Sequence, residues 1–197
     1  MKKQLDFFYF LGSTYTYLAV CRAADYAARE GVELVWRPFS VRTLMREQNN
    51  SPFANKPLKT KYMWRDIERR AAHFGIPFAG PQKYPIDANE LANRVATVAA
   101  LQGWAARFTR AAYDAWFLEG KDPGEIQTLE AILSRLDKDP EKVIAQANAE
   151  ATREQYLAET AVARELGLFG SPSFVSGSEL FWGDDRLEEA VAWCKAH

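Results

Sequence analysis

The order of predicted elements in this sequence indicates an α/β protein whose sheet is interrupted by a long helical excursion. Residues 4–37 have the pattern of a strand, a helix and a second strand. Residues 60–167 are dominated by the helix formers Ala, Leu, Glu and Arg, and residues 173–196 have the pattern of two strands and a final helix. A parallel pair and an antiparallel hairpin can share one sheet when the helices between them leave it and return.

The first unit has the size of a right-handed βαβ crossover. Gln4 to Phe10 is short and rich in Phe and Tyr, which is typical of a buried strand. Thr14 to Arg29 carries apolar residues at helical spacing, and Gly31 follows as a stop signal. Glu33 to Arg37 predicts a second strand that Pro38 ends. We expect these two strands to be parallel neighbours.

The middle of the chain predicts a helical lobe. Its helices are expected at about 60–74, 88–102, 104–119, 125–136, 140–149 and 152–166, with Gly and Pro between them. No fixed repeat period appears, so a solenoid is not predicted.

The last unit predicts a hairpin followed by a helix. Ser173–Ser176 and Glu179–Trp182 flank the turn residues Gly177 and Ser178. The complete order, βαβ, helices, then ββα, is that of a thioredoxin-like fold with a large all-helical insertion. We expect residues 1–44 and 168–197 to form the thioredoxin-like domain, and residues 45–167 to form the inserted helical domain, which includes a ligand-binding loop.

Composition excludes several functional classes. The 197 residues carry a net charge of −1, so no long-range field favours nucleic acid or an anionic membrane. No apolar run approaches the roughly 20 residues of a membrane span, and the N-terminus lacks the features of a secretory signal, so a cytoplasmic protein is expected. Cys21 and Cys194 form no CxxC motif, and with His73 and His197 they make no zinc pattern, so no metal is expected.

Four stretches together resemble the 2-hydroxychromene-2-carboxylate isomerases, which belong with the kappa-class glutathione transferases in the thioredoxin-like branch that includes DsbA. They are DFFYFLGSTYTYLA (6–19), WRPF (36–39), KYMWRDIERRA (61–71) and FGSPSFVSGSELFWGDDRL (169–187). The likeness extends over nearly the whole chain. It implies a homodimeric isomerase that uses glutathione as cofactor and takes 2-hydroxychromene-2-carboxylate or a related aromatic carboxylate, in the catabolism of aromatic compounds.

The resemblance assigns the catalytic role to Ser13. The family carries serine at the first strand–helix junction, where DsbA has its nucleophilic cysteine. The residues alone favour a serine that caps a helix, and only the resemblance favours a functional role. A hydroxyl directed at a thiol whose ordinary pKa is about 8.5 would lower that pKa by roughly one to two units, and a helix N-terminus would add to the effect. Many members have proline where this chain has Thr14.

The resemblance also implies a glutathione site. An asparagine and a lysine are expected in REQNNSPFANKPLKTKY (46–62), where Asn49 and Lys59 fit best and Asn50 and Lys61 compete with them. The lysine would face the glycine carboxylate of glutathione. Ser171 would offer its backbone before Pro172, which is cis in thioredoxin-like folds.

Further residues have two interpretations each. Asp184 and Asp185 would face the γ-glutamyl ammonium, although Asp185 and Glu188 also have the spacing of a capping box. The substrate carboxylate would meet Arg37 or Arg94 unless these arginines form surface ion pairs. The substrate slot or the core would contain the aromatic residues Tyr15, Phe39, Trp64 and Trp182.

Three other functions remain open at this stage. A kappa-like glutathione transferase would use the same serine but release a stable conjugate. A DsbA-like oxidoreductase is less favoured because position 13 is not a cysteine. A binding module without catalysis is the third alternative.

Overall fold

The computed structural model describes residues 3–197. Its strands are β1 (Lys3–Tyr9), β2 (Val32–Pro38), β3 (Ser173–Ser176) and β4 (Glu179–Trp182). Its helices are α1 (Thr16–Val20), α2 (Ala23–Arg29), α3 (Val41–Glu47), α4 (Pro57–Phe74), α5 (Leu91–Leu101), α6 (Ala105–Phe117), α7 (Ile126–Arg135), α8 (Pro140–Asn148), α9 (Glu150–Glu165) and α10 (Leu187–Ala196), with a 3₁₀ turn at Asp184–Arg186.

The four strands form one mixed sheet in the order β2-β1-β3-β4. β1 and β2 are parallel, with Leu5 opposite Leu34, whereas β1 and β3 are antiparallel, with Phe7 opposite Phe174. β3 and β4 form the hairpin, in which Phe174 lies opposite Phe181. The predicted α/β thioredoxin-like fold with its helical insertion is confirmed.

The aromatic run of β1 is buried on both faces of the sheet. Phe7 and Tyr9 belong to the main core, together with residues of α1, α2, α5, α6 and α10. Phe8 alternates to the opposite face, where it packs with Phe10 and Phe39 in a second cluster. A central strand that is covered on both sides requires continuous apolar side chains, and this explains the unbroken sequence FFYF.

The structure corrects the prediction of one helix over residues 14–29. The chain leaves the helix at Cys21 and Arg22, and two shorter helices result. The guanidinium of Arg22 donates to the carbonyl of Asp184 at 2.7 Å and pairs with Glu188 at 2.5 Å. Arg22, at the break between the two helices, thus contacts the C-terminal part of the chain. Contacts between residues so far apart cannot be predicted from the local sequence.

Helix α3 was not predicted, and several helices begin at other residues than predicted. The hydroxyl of Ser40 accepts from the backbone N–H of Thr43 at 3.2 Å and so caps α3. The signal was a serine just before apolar residues at helical spacing, Val41 and Leu44. Helix α4 begins at Pro57 rather than 60, α5 at Leu91 rather than 88, and α9 at Glu150 rather than 152.

The inserted helices are not detached from the sheet, because α5 and α9 both contact β2. The proposed division of the chain at 44/45 and 167/168 stays a prediction. Within residues 3–197, no helix combines the length and the apolar character that a membrane crossing requires.

Candidate active site

The turn after β1 brings Ser13 against Pro172. The N–H groups of Gly12 and Ser13 both donate to the carbonyl of Phe10, at 2.9 and 3.0 Å, and so reverse the chain. The hydroxyl of Ser13 donates to the carbonyl of Ser171 at 2.6 Å. The Ser171–Pro172 peptide is cis, as expected. Two stretches that lie 158 residues apart therefore meet at one hydroxyl.

Ser13 does not cap a helix, so that interpretation was wrong. α1 begins at Thr16, and its N-cap residue, Tyr15, makes no side-chain capping bond. α1 is also only five residues long. A short helix sums few aligned peptide dipoles, so its contribution to an anion near Ser13 is smaller than the sequence analysis expected.

The side chain of Ser171 ties the two stretches together. Its hydroxyl oxygen accepts from the N–H of Phe10 at 3.0 Å and lies 2.9 Å from the hydroxyl of Thr16. Sequence reasoning assigned only a backbone role to this position. Thr16 was a signal for the additional role, since a second hydroxyl one turn from Ser13 can complete such a network.

A buried pair, Asp87 and Asn93, fixes the backbone of the turn at Leu11. The amide oxygen of Asn93 accepts from the N–H of Leu11 at 2.8 Å, and its amide nitrogen donates to the carbonyl of Leu11 at 3.3 Å and to the Asp87 carboxylate at 2.8 Å. Burial raises the pKa of Asp87, and the hydrogen bonds that it accepts from Ala92 and Asn93 oppose that shift. The sequence analysis missed this pair because 82 residues separate Leu11 from Asn93.

Tyr113 adds a third support. Its hydroxyl lies 3.0 Å from the carbonyl oxygen of Phe10 and 2.9 Å from that of Ser13, and it can donate to one of them at a time. Burial raises the pKa of Tyr113 well above its ordinary value, so the group keeps its proton and remains a donor. The backbone of the Ser13 turn is thus fixed by buried side chains.

The two aspartates after β4 have different environments. The carboxylate of Asp184 is buried and accepts from Arg70 at 2.7 and 3.1 Å. Burial raises the pKa of Asp184, and Arg70 opposes the shift. The side chain of Asp185 is 49% exposed, and its cationic neighbour is Arg186 at 3.6 Å. Asp185 is therefore the more accessible carboxylate.

The position of Asp185 relative to Pro172 is set by Gly183. The N–H of Gly183 donates to the carbonyl of Pro172 at 3.0 Å. Gly183 has a φ of 121°, and a Cβ there would lie 2.4 Å from a carboxylate oxygen of Asp185. The capping box of Asp185 and Glu188 was wrong, because neither the 3₁₀ turn nor α10 has a side-chain cap.

Asn49 and Lys59 lie on exposed segments that flank the loop between α3 and α4. Lys59 and Met63 are four residues apart on α4, so they share a face. The sulfur of Met63 accepts from the hydroxyl of Thr14 at 3.0 Å. Lys59 therefore lies one helical turn from Met63, the residue of α4 that contacts Thr14. Lys61 lies on another face of α4. The binding roles of Asn49 and Lys59 stay predictions.

A cavity of about 1000 Å³ opens beside this loop. Among the described residues, its walls include Asn50 and Arg94 but not Ser13, Ser171 or Pro172. Arg37 does not reach it, since its guanidinium pairs with Asp6 at 2.8 Å and with Glu159 at 3.0 Å. We call this space the arginine cavity, because four arginines line it: Arg42, Arg46, Arg94 and Arg153.

The aromatic candidates separate into core and surface. Phe39 and Trp64 are buried, whereas Trp182 is 53% exposed and packs edge-on against Phe169. The hydroxyl of Tyr15 donates to Asp66 at 3.1 Å.

Neither cysteine is suited to thiol chemistry. Burial raises the pKa of Cys21 to about 11, so little thiolate forms at neutral pH. Cys194 is buried and its thiol donates to the carbonyl of Gln4 at 3.3 Å.

Comparison with known proteins gives consistent results. A family model described as a DSBA-like thioredoxin domain matches residues 4–192. The chain is 28% identical to a 2-hydroxychromene-2-carboxylate isomerase of Sphingobium xenophagum, over 95% of this chain and 96% of the relative. It is 27% identical to a protein of the same name from Pseudomonas putida, over 93% and 90%. A solved structure of 2-hydroxychromene-2-carboxylate isomerase superimposes with a TM-score of 0.86, at 24% identity, over 98% of this chain and 95% of the other.

Proposed function

The chain belongs to the DSBA-like thioredoxin domain family, and we propose that it is a glutathione-dependent isomerase of 2-hydroxychromene-2-carboxylate or a related aromatic carboxylate. Relatives named as isomerases support an isomerase function in this family. The product would be the trans-hydroxybenzylidenepyruvate. We further propose a cytoplasmic homodimer.

One observation carries the proposal. At the junction where a thiol oxidoreductase needs a reactive cysteine, this chain has Ser13, and the Ser13 hydroxyl lies 2.6 Å from the carbonyl before a cis proline. A serine there retains its proton and acts as a donor. A cysteine thiolate there would instead attack the disulfide of oxidised glutathione, forming a mixed disulfide and releasing one glutathione thiolate.

The donor set around Ser13 fits the tripeptide glutathione. Glutathione has an ammonium at one end, a carboxylate at the other and a thiol between them. Asp185 offers an exposed carboxylate and Lys59 offers an ammonium. The Ser13 turn contacts α4, which carries Lys59, and the Ser171–Pro172 segment, to which the turn before Asp185 is bonded. Asp184 is already neutralised by Arg70, so we assign the ammonium to Asp185. Asn49 and the backbone of Ser171 would complete the site.

The role of Ser13 is to donate a hydrogen bond from its hydroxyl to the sulfur of bound glutathione. Its hydroxyl donates to a neutral carbonyl in the structure, and such a bond contributes about 0.5–1.5 kcal/mol. A bond to a charged acceptor contributes about 1.5–3 kcal/mol, so the hydroxyl would turn to a thiolate in preference to the carbonyl. The difference lowers the pKa of a bound thiol by about one unit.

The other residues of the turn restrict this motion to the hydroxyl. Asn93 and Tyr113 fix the backbone at Leu11 and Ser13, so only the side chain of Ser13 has to rotate. Glutathione, when bound, would supply the thiol that adds reversibly to the conjugated substrate and leaves after isomerisation. A donor held in place before the reaction contributes more than one that must first be ordered.

The test is an absorbance assay of chromene ring opening, with and without glutathione. The variants are Ser13→Ala and, as matched control, Ser178→Ala in the exposed hairpin turn. We expect glutathione-dependent turnover by the wild type and by Ser178→Ala, and about a 100-fold loss in Ser13→Ala, because removal of one positioned donor has that effect. Circular dichroism checks that the variants are folded.

Equal rates in all conditions would refute the proposal. Free thiol that disappears in step with turnover would identify a kappa-like glutathione transferase instead of an isomerase. Reduction of insulin disulfides by the purified protein would identify a DsbA-like oxidoreductase. Light scattering after gel filtration tests the homodimer.

A further inference from the structure

We propose that the arginine cavity recognises the carboxylate of the organic substrate and thereby selects anionic aromatic molecules. The term substrate rests on the proposed function, whereas the binding of an anion to the cavity does not. The cavity lies between α3, the loop after it, the segment 84–90 and the N-terminal part of α9.

The cavity has an excess of positive charge. Four arginines line it: Arg42, Arg46, Arg94 and Arg153. Within residues 3–197 none of them forms an ion pair. Two acids, Glu90 and Glu150, also line it, so four positive and two negative charges leave a net charge of +2.

Within residues 3–197 the acids form no ion pair with these arginines, although the charge of Glu90 opposes the lowering of the pKa of Arg94 by burial. The carboxylate of Glu90 accepts from the hydroxyls of Ser40 at 3.1 Å and Tyr156 at 2.9 Å, which are both neutral donors. Six arginines of residues 3–197 form no ion pair, and four of them line this cavity. The other two are Arg29 and Arg107. The arginines without an ion pair are therefore concentrated at this cavity, although they are not confined to it.

Neutral acceptors hold two of the guanidinium groups in place. Arg42 donates to the carbonyls of Ile86 at 2.5 Å and Asp87 at 2.6 Å. Arg94 donates to the carbonyls of Ala147 at 3.0 Å and Asn89 at 2.7 Å. Carbonyl oxygens orient a guanidinium but leave its net charge intact, so both groups are preorganised for an anion.

Arg94 and Arg153 lie near enough to repel each other. Both bond to Asn148, Arg94 through the side-chain oxygen at 3.1 Å and Arg153 through the backbone carbonyl at 3.1 Å. Burial lowers the pKa of Arg94 and the charge of Arg153 lowers it further, whereas the charges of Asp87 and Glu90 oppose the shift. A carboxylate between two like charges would relieve this repulsion and accept hydrogen bonds from both.

The cavity adjoins the Ser13 turn. The guanidinium carbon of Arg42 lies 4.8 Å from the ring centre of Phe10. The same ring lies against Gly12, where a Cβ would be 2.5 Å from a ring carbon. Thr60 lines the cavity, and Met63, on the next turn of α4, contacts Thr14. A single layer of side chains thus separates the cavity from the turn.

The wall nearest the loop suits an aromatic ring. Phe53 and Tyr84 pack edge to face with their ring centres 5.8 Å apart. Met45, Pro52 and Pro85 extend this apolar surface. The volume lies at the upper end of pockets for small molecules. An apolar wall combined with preorganised cations matches an aromatic carboxylate.

The experiment measures binding of salicylate and of its uncharged amide by titration calorimetry, without glutathione. The variant is Arg94→Gln with Arg153→Gln, and the control is Arg29→Gln, an exposed arginine that does not line the cavity. We expect the amide to bind wild type at least about tenfold more weakly than salicylate. We expect the double variant to lose about tenfold or more of its affinity for salicylate, and the control to change less than about twofold.

Equal binding of the acid and the amide would overturn the inference, as would equal losses in the double variant and the control. These outcomes are independent of Ser13 and of glutathione. If salicylate binds as expected but Ser13→Ala retains full turnover, the proposed function fails and the cavity assignment stands. If Ser13 is essential but the double variant keeps its KM for the anionic substrate, the cavity assignment fails alone.

Discussion

The Ser13 turn and the arginine cavity are neighbours, but they differ in how their polar groups are paired. At the turn, buried hydrogen bonds from Asn93, Tyr113 and Ser171 fix a short stretch of backbone. In the cavity, guanidinium groups bond to neutral carbonyls and keep their charge. The turn is complete without a ligand and the cavity is not. Substitutions should therefore reduce stability at the turn and reduce ligand affinity at the cavity.

The largest effect on stability is expected from Asn93→Ala. It removes three hydrogen bonds and leaves the buried N–H and carbonyl of Leu11 without partners, so we expect a loss of about 3–4 kcal/mol. The Asp87 carboxylate loses one donor and keeps the backbone N–H groups of Ala92 and Asn93. Urea denaturation measures it. Asn148→Ala is the matched control, since Asn148 is exposed and serves the cavity, and it should cost under about 1 kcal/mol. Equal losses would remove the contrast between the two regions.

The second effect concerns Arg70→Ala, which leaves Asp184 buried without its partner. We expect a loss of about 2–3 kcal/mol near pH 7, less than for a fully buried pair because 27% of the Arg70 side chain is exposed. Denaturation curves at several pH values measure the loss.

The titration of Asp184 determines how the destabilisation by Arg70→Ala changes with pH. Its pKa is raised in the folded chain, so the contribution of this carboxyl to stability falls as the pH rises through the folded pKa. Loss of Arg70 raises that pKa further. The destabilisation should therefore be smaller near pH 4 than near pH 7, and an unchanged or reversed trend would contradict the assignment.

A smaller effect is expected from Ser171→Ala. It leaves the N–H of Phe10 without its acceptor, and we expect a loss of about 1–2 kcal/mol in thermal unfolding. The backbone carbonyl that Ser13 contacts is unchanged, so glutathione-dependent turnover should remain within about threefold. Ser134→Ala serves as control, because Ser134 is exposed on α7 and does not line the cavity. A loss of turnover as large as that of Ser13→Ala would assign the side chain of Ser171 to catalysis.

The smallest effect is expected from Arg153→Gln. One hydrogen bond to Asn148 is lost while repulsion with Arg94 is relieved, so the free energy of unfolding should change by less than about 0.5 kcal/mol. Denaturation at low ionic strength measures it. A loss above about 1 kcal/mol would show that Arg153 is structural, and the comparison would then fail on the cavity side.

Patterns of apolar residues predicted most of the fold. The aromatic run of β1 and the turn Gly177–Ser178 located three of the four strands, because alternation and turn chemistry are local. α3 was missed because seven residues give a weak periodic signal. The break at Cys21 and Arg22 was missed because its contacts come from Asp184 and Glu188, at the other end of the chain.

Some residues of the candidate site were predicted from the sequence, and others were found only in the structure. The position of Ser13 beside Pro172 followed from motifs that a family resemblance supplied, and the cis peptide is present. Asp87 and Asn93 carry no motif, and their role exists only because the fold brings them to Leu11. Arg94 was considered for a carboxylate, but Arg37 was considered equally, and only the structure separates the cavity arginine from the paired one.

The sequence by itself determined the order of the strands and of most helices, and the chemical identity of the hydroxyl at the first junction. Both are local properties of the chain, set by side-chain spacing and by a single residue. Only the tertiary structure decided which polar groups are satisfied and which charges lack a partner. Hydrogen bonds and ion pairs between distant residues depend on distances of a few ångströms, and these are fixed by packing rather than by position along the chain.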